Sequence, residues 1–180
     1  MSVIAWTGLP TDAGTFVVAA STRGLVLVAL PGDDRRDVVE QLREAGTPVE
    51  DPAGVADHAA VLLEYLAGTR RDLDVPLDWA LVRGGFRREA LEALARVPYG
   101  EVVSYAELAA RAGRPLAVRA AGTACATNPL PVVVPCHRVV RSDGRLGSYG
   151  GGVPLKARLL RLEGVEVVGD PPRVGALSTR

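Results

Sequence analysis

Apolar and polar residues follow two different periods along the first third of the chain. Runs rich in valine and leucine cover residues 14–21 and 24–30, with a short turn between them. Apolar runs that flank a tight turn predict a β-hairpin. Residues 33–46 and 56–68 instead place apolar side chains at helical spacing, and each segment ends at a glycine. These two segments predict amphipathic helices.

The second half of the chain has the pattern of short helices. Residues 86–98 are amphipathic and end at a proline. Residues 104–113 open with a serine followed three positions later by glutamate, the signature of a capping box, and close on a glycine. Residues 114–129 have one proline near a first helical turn and another at their end. The last two segments predict a helix-turn-helix, although two packed core helices fit the same pattern.

The remaining segments complete an α+β class with two domains. Residues 131–135 predict a strand, 141–152 a turn or hairpin, and 154–164 a last helix. Proline and glycines interrupt the periodicity between 70 and 85, so we place the N-terminal domain at 1–80 and the C-terminal domain at 84–168. The polar, proline-containing tail, 169–180, is predicted to be disordered.

Composition supports a folded protein without membrane segments. The chain has 180 residues, and 48% of them are apolar, enough for a core in one or two domains. No run approaches the ~20 apolar residues of a spanning helix, and no signal peptide is evident. We therefore expect a cytoplasmic protein with no membrane partner and no obligate protein partner.

The zero net charge conceals an asymmetry between the two halves. Residues 1–83 carry 7 arginines against 13 acidic residues, whereas residues 84–180 carry 13 arginines and Lys156 against 8 acidic residues. A basic half-chain is typical of nucleic-acid binding, although scattered surface arginines would produce the same count. Arg111, Arg114 and Arg141 are loose candidates for phosphate contacts.

The segment PVVVPCHRVV places Cys136 next to His137 behind a proline that disfavours a continuing strand. A tight turn is predicted there, with the two side chains linked through a water molecule. A free thiol has a pKa of ~8.5, so a reactive Cys136 needs a base such as His137. The carboxylate behind that base is open between Glu163, Asp143 and Glu107, and a buried structural cysteine is the alternative.

The other cysteine and the histidines do not indicate a cofactor. Cys125 lies between alanines on a predicted helix and has the pattern of a buried structural residue. Two cysteines and two histidines, His58 and His137, match no metal-ligand spacing. Neither a metal nor another cofactor is expected, and both cysteines are interpreted as free thiols.

Residues 98–164 resemble the O6-alkylguanine-DNA alkyltransferase family, the methylated-DNA–protein-cysteine methyltransferases. Five blocks in matching order carry the resemblance: PYGEVVSYAELA (98–109), RAAGTACATNP (119–129), PVVVPCHRVV (131–140), GRLGSYGGG (144–152) and Lys156 to LEG (162–164). The resemblance implies a small ribonuclease-H-like α/β domain, followed by a helical, winged-helix-like domain with a helix-turn-helix. The N-terminal third fits its part of this description only loosely.

The resemblance also assigns roles to residues by position. Cys136 would accept the alkyl group, with His137 as water-linked base, Glu163 as the carboxylate behind it and Asn128 as the hinge residue. Arg119 would enter the base stack, and Tyr105 would line the pocket and crowd the target phosphate. Small residues would let the recognition helix enter the minor groove, among them Ala120, Gly122 and Thr123. The carbonyls of Cys136 and Val139, Tyr149 and the main-chain N–H of Gly150 would complete the guanine pocket.

The function implied is irreversible, single-turnover transfer of an alkyl group from O6-alkylguanine, and from O4-alkylthymine, in double-stranded DNA to Cys136. Three alternatives stay open on the residues alone. A noncatalytic module would only bind alkylated DNA, a winged-helix regulator would prefer one DNA sequence, and a cysteine hydrolase would turn over repeatedly.

Overall fold

The chain folds into two units with different secondary structure. In the computed structural model, which describes residues 2–175, the first unit comprises the residues up to Arg83 together with 129–133. The second unit comprises residues 84–128 and those from 134 onward. The mixed helices and strands agree with the predicted α+β class. The change at Arg83 lies next to the predicted boundary, but the grouping of 129–133 with the first unit was not anticipated.

A four-stranded sheet forms the centre of the first unit. Its strands are β1 (Val3–Thr11), β2 (Gly14–Ser21), β3 (Gly24–Ala29) and β4 (Thr47–Glu50). Their order is β3-β2-β1-β4; β1 pairs antiparallel with β2 and parallel with β4. The β2–β3 hairpin confirms the prediction from the apolar runs, while β1 was not predicted as a defined strand.

Two helices cover the apolar residues of this sheet. Helix α1 (Arg35–Arg43) begins at an N-cap, Asp34, whose side chain accepts a hydrogen bond from the Arg36 N–H. Helix α2 (Ala56–Leu66) buries Leu62 and Tyr65. Both helices were predicted, with ends a few residues longer than observed. One core cluster of the unit contains Ile4, Trp6, Val17, Ala19, Val26, Leu27, Ala29, Val38, Leu42 and Leu81.

Residues 131–135 do not form the strand that their valines predicted. The segment is a series of turns, and Val132 has a φ of 74°, a left-handed conformation incompatible with a strand. Prolines directly before and after the valines remove hydrogen-bond donors that a sheet ladder would need. Val132 and Val134 are buried in this turn. The Val28 N–H donates to the Pro129 carbonyl at 2.9 Å.

The second unit is mainly helical. Its elements are α3 (Phe86–Leu94), β5 (Val103–Ser104), α4 (Tyr105–Arg111), α5 (Val118–Ala126), β6 (Val139–Val140), α6 (Gly152–Leu162), β7 (Val167–Val168) and β8 (Arg173–Val174). Helices α3, α4 and α5 pack together, and β5 pairs in parallel with β6. No helix in residues 2–175 is long and apolar enough to cross a membrane.

Helices α4 and α5 form the predicted helix-turn-helix pair. The Ser104 side chain accepts from the Glu107 N–H, and the Glu107 carboxylate accepts from the Ser104 N–H, which confirms the capping box. Gly113 ends the first helix with a φ of 80°. Helix α5 begins at Val118 rather than near Pro115, because residues 114–117 form the turn between the two helices.

The prediction of disorder from residue 169 onward is wrong for residues 169–175. Strands β7 and β8 form an antiparallel pair there, and Val174 is buried in a cluster with Val140 and Leu146. The Val174 N–H also donates to the Gly144 carbonyl at 2.9 Å. Burial of one valine and pairing of its main chain outweigh the polar composition of the segment. Residues 176–180 lie outside the described part of the chain.

Candidate active site

The Cys136 side chain lies on a short buried turn in the second unit. Residues Cys136–Arg138 form one turn of 3₁₀ helix, as the proline before them suggested. The Arg138 N–H donates to the Pro135 carbonyl at 2.9 Å, and the Cys136 N–H donates to the Val134 carbonyl at 2.8 Å. Cys136 is 7% exposed. The thiol is thus held at a fixed place, just below the surface of the unit.

Strand β6 follows the turn directly and fixes its exit. Val139 pairs with Val103 of β5, so the two strands lie side by side. The ammonium of the fully buried Lys156 donates to the Val139 carbonyl at 2.6 Å and to the Leu146 carbonyl. Helix α6 thereby holds both the strand after the turn and the loop that precedes the helix.

His137 and Glu163 form a buried pair. His137 Nε2 lies 2.8 Å from Glu163 Oε1, and both side chains are fully enclosed. Of the three carboxylates left open by sequence, only Glu163 reaches the histidine. Glu107 caps α4, and Asp143 accepts from the Arg145 N–H at 3.0 Å. Glu163 is the C-cap of α6, where the helix ends and its side chain turns inward.

Glu163 accepts further hydrogen bonds from two groups. Arg138 donates through Nε to Oε2 at 2.9 Å and through Nη2 to Oε1 at 2.8 Å. The Gly100 N–H donates to Oε2 at 2.9 Å. Burial raises the pKa of Glu163, but the hydrogen bonds from His137 and Arg138 outweigh it and lower the pKa to about 2. The carboxylate is therefore an anion at neutral pH.

Burial has the opposite consequence for His137. It lowers the pKa of the imidazole, Glu163 opposes this change, and the positive charges of Arg138 and Lys156 add to it. The ring is neutral at neutral pH. Since the ionised Glu163 can only accept, the Nε2 atom carries the ring proton and Nδ1 holds the lone pair.

The Cys136 thiol is protonated in this environment. Burial raises its pKa, while a hydrogen bond from Asn128, the Lys156 charge and a hydrogen bond from Tyr149 act in the opposite direction. Asn128 also donates to the Val134 carbonyl at 2.8 Å, which ties the end of α5 to the start of the turn. The thiolate would therefore have stabilising partners once a base removes the proton.

Cys125 lacks the hydrogen bonds from Asn128 and Tyr149 that act on Cys136. Burial and the neighbouring Cys136 raise the pKa of Cys125 to about 12, although Lys156 lowers it slightly. The thiol is half-buried on α5 and is not disulfide-bonded. At neutral pH its thiolate fraction is negligible, in agreement with its interpretation as a structural residue.

Tyr105 connects the helix-turn-helix with the cysteine turn. A methyl group at Gly122 of α5 would meet the Tyr105 ring at 3.9 Å, and one at Gly147 would meet its hydroxyl at 3.6 Å. Burial raises the pKa of Tyr105, and the cysteines at 125 and 136 raise it further. The ring therefore lies among α5, the 141–151 loop and the thiol. The structure brings together Tyr105, Asn128, Cys136, His137, Val139, Tyr149 and Glu163.

The remaining candidates lie on an open surface rather than at the thiol. Arg119, Ala120 and Thr123 are exposed along one face of α5, and Thr123 Oγ1 donates only to the Arg119 carbonyl at 3.2 Å. Gly150 is exposed on the loop after Tyr149. Arg119 makes no ion pair within residues 2–175. This face is free to receive a partner.

Two of the three loose phosphate candidates are already paired. Arg111 donates to Glu101 at 2.7 Å, and Arg114 lies 3.3 Å from Glu89. Arg141 is exposed, and no carboxylate lies within ion-pair distance of it in the described chain. Pairing leaves less positive charge on this surface than the residue count of the half-chain indicated.

The roles of Arg138 and Gly100 at Glu163 were not predicted from the sequence, and neither were the hydrogen bonds that Lys156 donates. A signal for Arg138 was present, since an arginine inside an apolar run must either disrupt the core or bind a buried acid. The partner of Arg138 was not visible, because Glu163 lies 25 positions later. In residues 2–175, no three His, Cys, Asp or Glu side chains are grouped to hold a metal ion.

Comparisons with known proteins identify the family of the chain. Residues 85–165 match the family model described as 6-O-methylguanine DNA methyltransferase, DNA binding domain. The chain is 34% identical to the inducible methylated-DNA–protein-cysteine methyltransferase of Bacillus subtilis, over 88% of this chain and 89% of that protein. It is 40% identical to the bifunctional transcriptional activator/DNA repair enzyme Ada of Escherichia coli, of whose length it spans 43%.

A solved structure shares the fold over nearly the whole length. The Mycobacterium tuberculosis OGT in complex with DNA superimposes with a TM-score of 0.72 at 34% identity, covering 88% of this chain and 92% of that one. The similarity includes both units described above, so it is not confined to the helix-turn-helix.

Proposed function

Because the chain belongs to the methylated-DNA–protein-cysteine methyltransferase family, we propose that it repairs O6-alkylguanine in double-stranded DNA by moving the alkyl group onto Cys136. The observation that carries this function is the buried His137–Glu163 hydrogen bond directly after Cys136 in the chain, on a turn tied to α5 by Asn128. A thiol with a neutral base beside it and a fixed anion behind that base can be deprotonated when a substrate arrives.

The chemistry follows from the sulfur nucleophile and the purine leaving group. His137 takes the thiol proton through a water molecule, and the sulfur attacks the alkyl carbon attached to guanine O6. The carbon–oxygen bond breaks, its electron pair stays with guanine, and the proton ends on guanine. The product is a thioether on saturated carbon, which water does not hydrolyse. Each protein molecule therefore repairs one lesion.

DNA recognition is assigned to the exposed face of α5. Ala120 and Thr123 on that face are small, as is the half-buried Gly122 between them, and a groove only ~6 Å wide admits such a helix. Arg119 would enter the stack as the guanine leaves it, since base flipping costs a few kcal/mol of stacking and pairing that an inserted side chain offsets. Tyr105 would crowd the target phosphate and favour the flipped state.

The guanine pocket is assigned to the turn and the loop beyond it. The carbonyls of Cys136 and Val139 would accept from the guanine amino group, and the Gly150 N–H would donate to O6. Tyr149 would cover the base. O4-alkylthymine presents the same alkyl–oxygen unit and is proposed as a second substrate.

Each of the two units is proposed to have the fold that the family resemblance implies. The first unit, with antiparallel β1–β3 and a parallel β4, is proposed to be ribonuclease-H-like. The second unit, with three helices and a two-stranded sheet, is proposed to be winged-helix-like. Since a free thiol is the reactant, we place the protein in the reducing cytoplasm.

The test is transfer of a label from duplex DNA containing O6-methylguanine. Intact mass should rise by one methyl group, and peptide sequencing should place it on Cys136. Cys136→Ala should bind the DNA without gaining mass, whereas Cys125→Ala should react normally. A label on Cys125, binding without any mass change, or many lesions removed per molecule would each contradict the proposal.

A further inference from the structure

Arg138 is a buried cation that the proposed reaction does not use. It is 7% exposed, and its guanidinium meets Glu163 side-on through Nε and Nη2. The third nitrogen, Nη1, donates to the Val97 carbonyl, and the Tyr99 ring centroid lies 5.9 Å from the guanidinium carbon. Desolvating an arginine is costly, so the position of Arg138 beside Glu163 calls for a functional explanation.

We propose that Arg138 is a positioning residue that holds Glu163 as a fixed anion and thereby keeps His137 neutral, with its lone pair on Nδ1. The inference rests on the proposed alkyl transfer to Cys136, for which that lone pair is the proton acceptor. His137 and Arg138 are adjacent in sequence, and both side chains bind the same carboxylate.

The direction of the His137–Glu163 hydrogen bond depends on the charge of the carboxylate. An ionised Glu163 only accepts, so the imidazole proton must lie on Nε2. A protonated Glu163 would donate to Nε2 instead and would move the ring proton to Nδ1. That tautomer has no lone pair for the thiol proton. Arg138 excludes it by neutralising the anion with two parallel, charge-assisted hydrogen bonds.

Without Arg138, the His137–Glu163 pair would hold one extra proton near neutral pH. A buried carboxylate that loses its cation either takes up a proton itself or stabilises imidazolium on its neighbour. Both species disable the base. The electrostatic influence of Arg138 agrees with this role, since Arg138 lowers the pKa of both Glu163 and His137.

The charged and titratable groups around the pair come from several elements. Lys156 of α6 adds a second positive charge that disfavours imidazolium. The other titratable groups that face the pair or the thiol are Cys136 on the same turn, Tyr99 after α3, Tyr105 of α4, Cys125 of α5 and Tyr149 of the 141–151 loop. When the thiol proton moves to His137, a thiolate and an imidazolium appear together. The net charge of the cluster stays constant, and Glu163 offsets the repulsion between Arg138 and the imidazolium.

The experiment compares the pH dependence of methyl transfer in three variants with that of the wild type. Arg138→Met should slow transfer at neutral pH by about a hundredfold, the usual contribution of a general base. Its rate should recover at alkaline pH, with a midpoint shifted upward by about one pH unit or more. Arg138→Lys keeps the positive charge without the paired donors. Its transfer rate and pH midpoint should lie between those of Arg138→Met and the wild type.

The decisive variant is the double substitution Arg138→Met with Glu163→Gln. Glutamine cannot ionise, so the extra proton has no site, and the pH midpoint should return toward that of the wild type even if the rate stays lower. A rate loss of equal size at every pH in Arg138→Met would overturn the proposal, as would a double variant that keeps the shifted midpoint. Either result would mean that Arg138 only fills space.

A measurement on the unaltered protein covers the case in which Arg138→Met does not fold. Nitrogen-15 NMR should show His137 with a protonated Nε2 and a non-protonated Nδ1 throughout the neutral range. The opposite tautomer, or imidazolium at neutral pH, would contradict the inference. Failure of the function proposed above is distinguishable, because the wild type would then gain no methyl group at any pH.

Discussion

The Lys156 ammonium donates to the Val139 main-chain oxygen at 2.6 Å from a fully buried position. That oxygen belongs to the strand directly after the Cys136 turn and is one of the proposed acceptors for the guanine amino group. A carbonyl has two lone pairs, so one can bind the lysine while the other faces the pocket. Burial lowers the pKa of Lys156 to about 8, with Cys136 and Cys125 acting against the change.

Lys156→Met should weaken both folding and the reaction with the free base O6-methylguanine. The substitution leaves the Val139 and Leu146 carbonyls without their donor, which costs about 1–3 kcal/mol for a buried acceptor, offset in part by the lost desolvation of the charge. Urea unfolding and free-base kinetics measure the two effects. Arg158→Met, on an exposed site of the same helix, should change neither by much.

Asn128→Ala should uncouple the recognition helix from the turn. It removes the donor to the Val134 carbonyl and the hydrogen bond that lowers the pKa of Cys136. We expect a loss of about 1–3 kcal/mol in the free energy of unfolding. The Cys136 thiol should also react at a higher pH with a small alkylating reagent. An unchanged thiol titration would show that Asn128 acts on the backbone alone.

Arg119→Ala should affect duplex repair selectively. The side chain is exposed and makes no ion pair in the described residues, so stability should stay within about 0.5 kcal/mol. Methyl transfer from duplex DNA should slow markedly, with a smaller loss on single strands and none on the free base. Arg36→Ala serves as the control, because Arg36 is an exposed arginine in the first turn of α1. Equal losses of transfer rate on duplex and free base would exclude the insertion of Arg119 into the base stack.

Arg141→Ala should reduce DNA affinity more than Arg111→Ala. Arg111 is neutralised by Glu101 at 2.7 Å, whereas Arg141 has no carboxylate partner in the described chain. Loss of one phosphate contact should lower the slope of log affinity against log salt by about 0.9. Titrations of undamaged duplex at several salt concentrations measure that slope. Identical slopes for both variants would remove Arg141 from the interface.

Acid should destabilise the second unit in two pH windows. The pKa of His137 is lowered in the folded state, so the unfolded chain binds the extra proton and stability falls below about pH 6.5. The pKa of Glu163 is also lowered, so its contribution is present above about pH 4.5 and is lost as the pH falls toward 2. Urea midpoints measured across this range test both windows. His137→Gln should abolish the first window, and a wild-type midpoint constant between neutral pH and 5.5 would contradict it.

Local features of the fold could be predicted from the residues that form them. Strands β2 and β3 have apolar runs with a tight turn, and α4 has its capping box within four residues. The strand prediction at 131–135 was wrong because the apolar valines were given more weight than the flanking prolines, and the left-handed φ of Val132 is visible only in the folded turn. The prediction of disorder at 169–175 was wrong because the apolar neighbours of Val174 come from distant segments of the chain.

The sequence by itself determined the adjacent Cys136 and His137, the helix-turn-helix and the family, because each depends on short motifs of neighbouring residues. Only the tertiary structure decided which carboxylate serves His137, what neutralises that carboxylate and what holds the Val139 oxygen. Those contacts join positions 17 to 26 residues apart across the core of the second unit. Their strength comes from the exclusion of water, a property that appears only when the helices and strands have packed together.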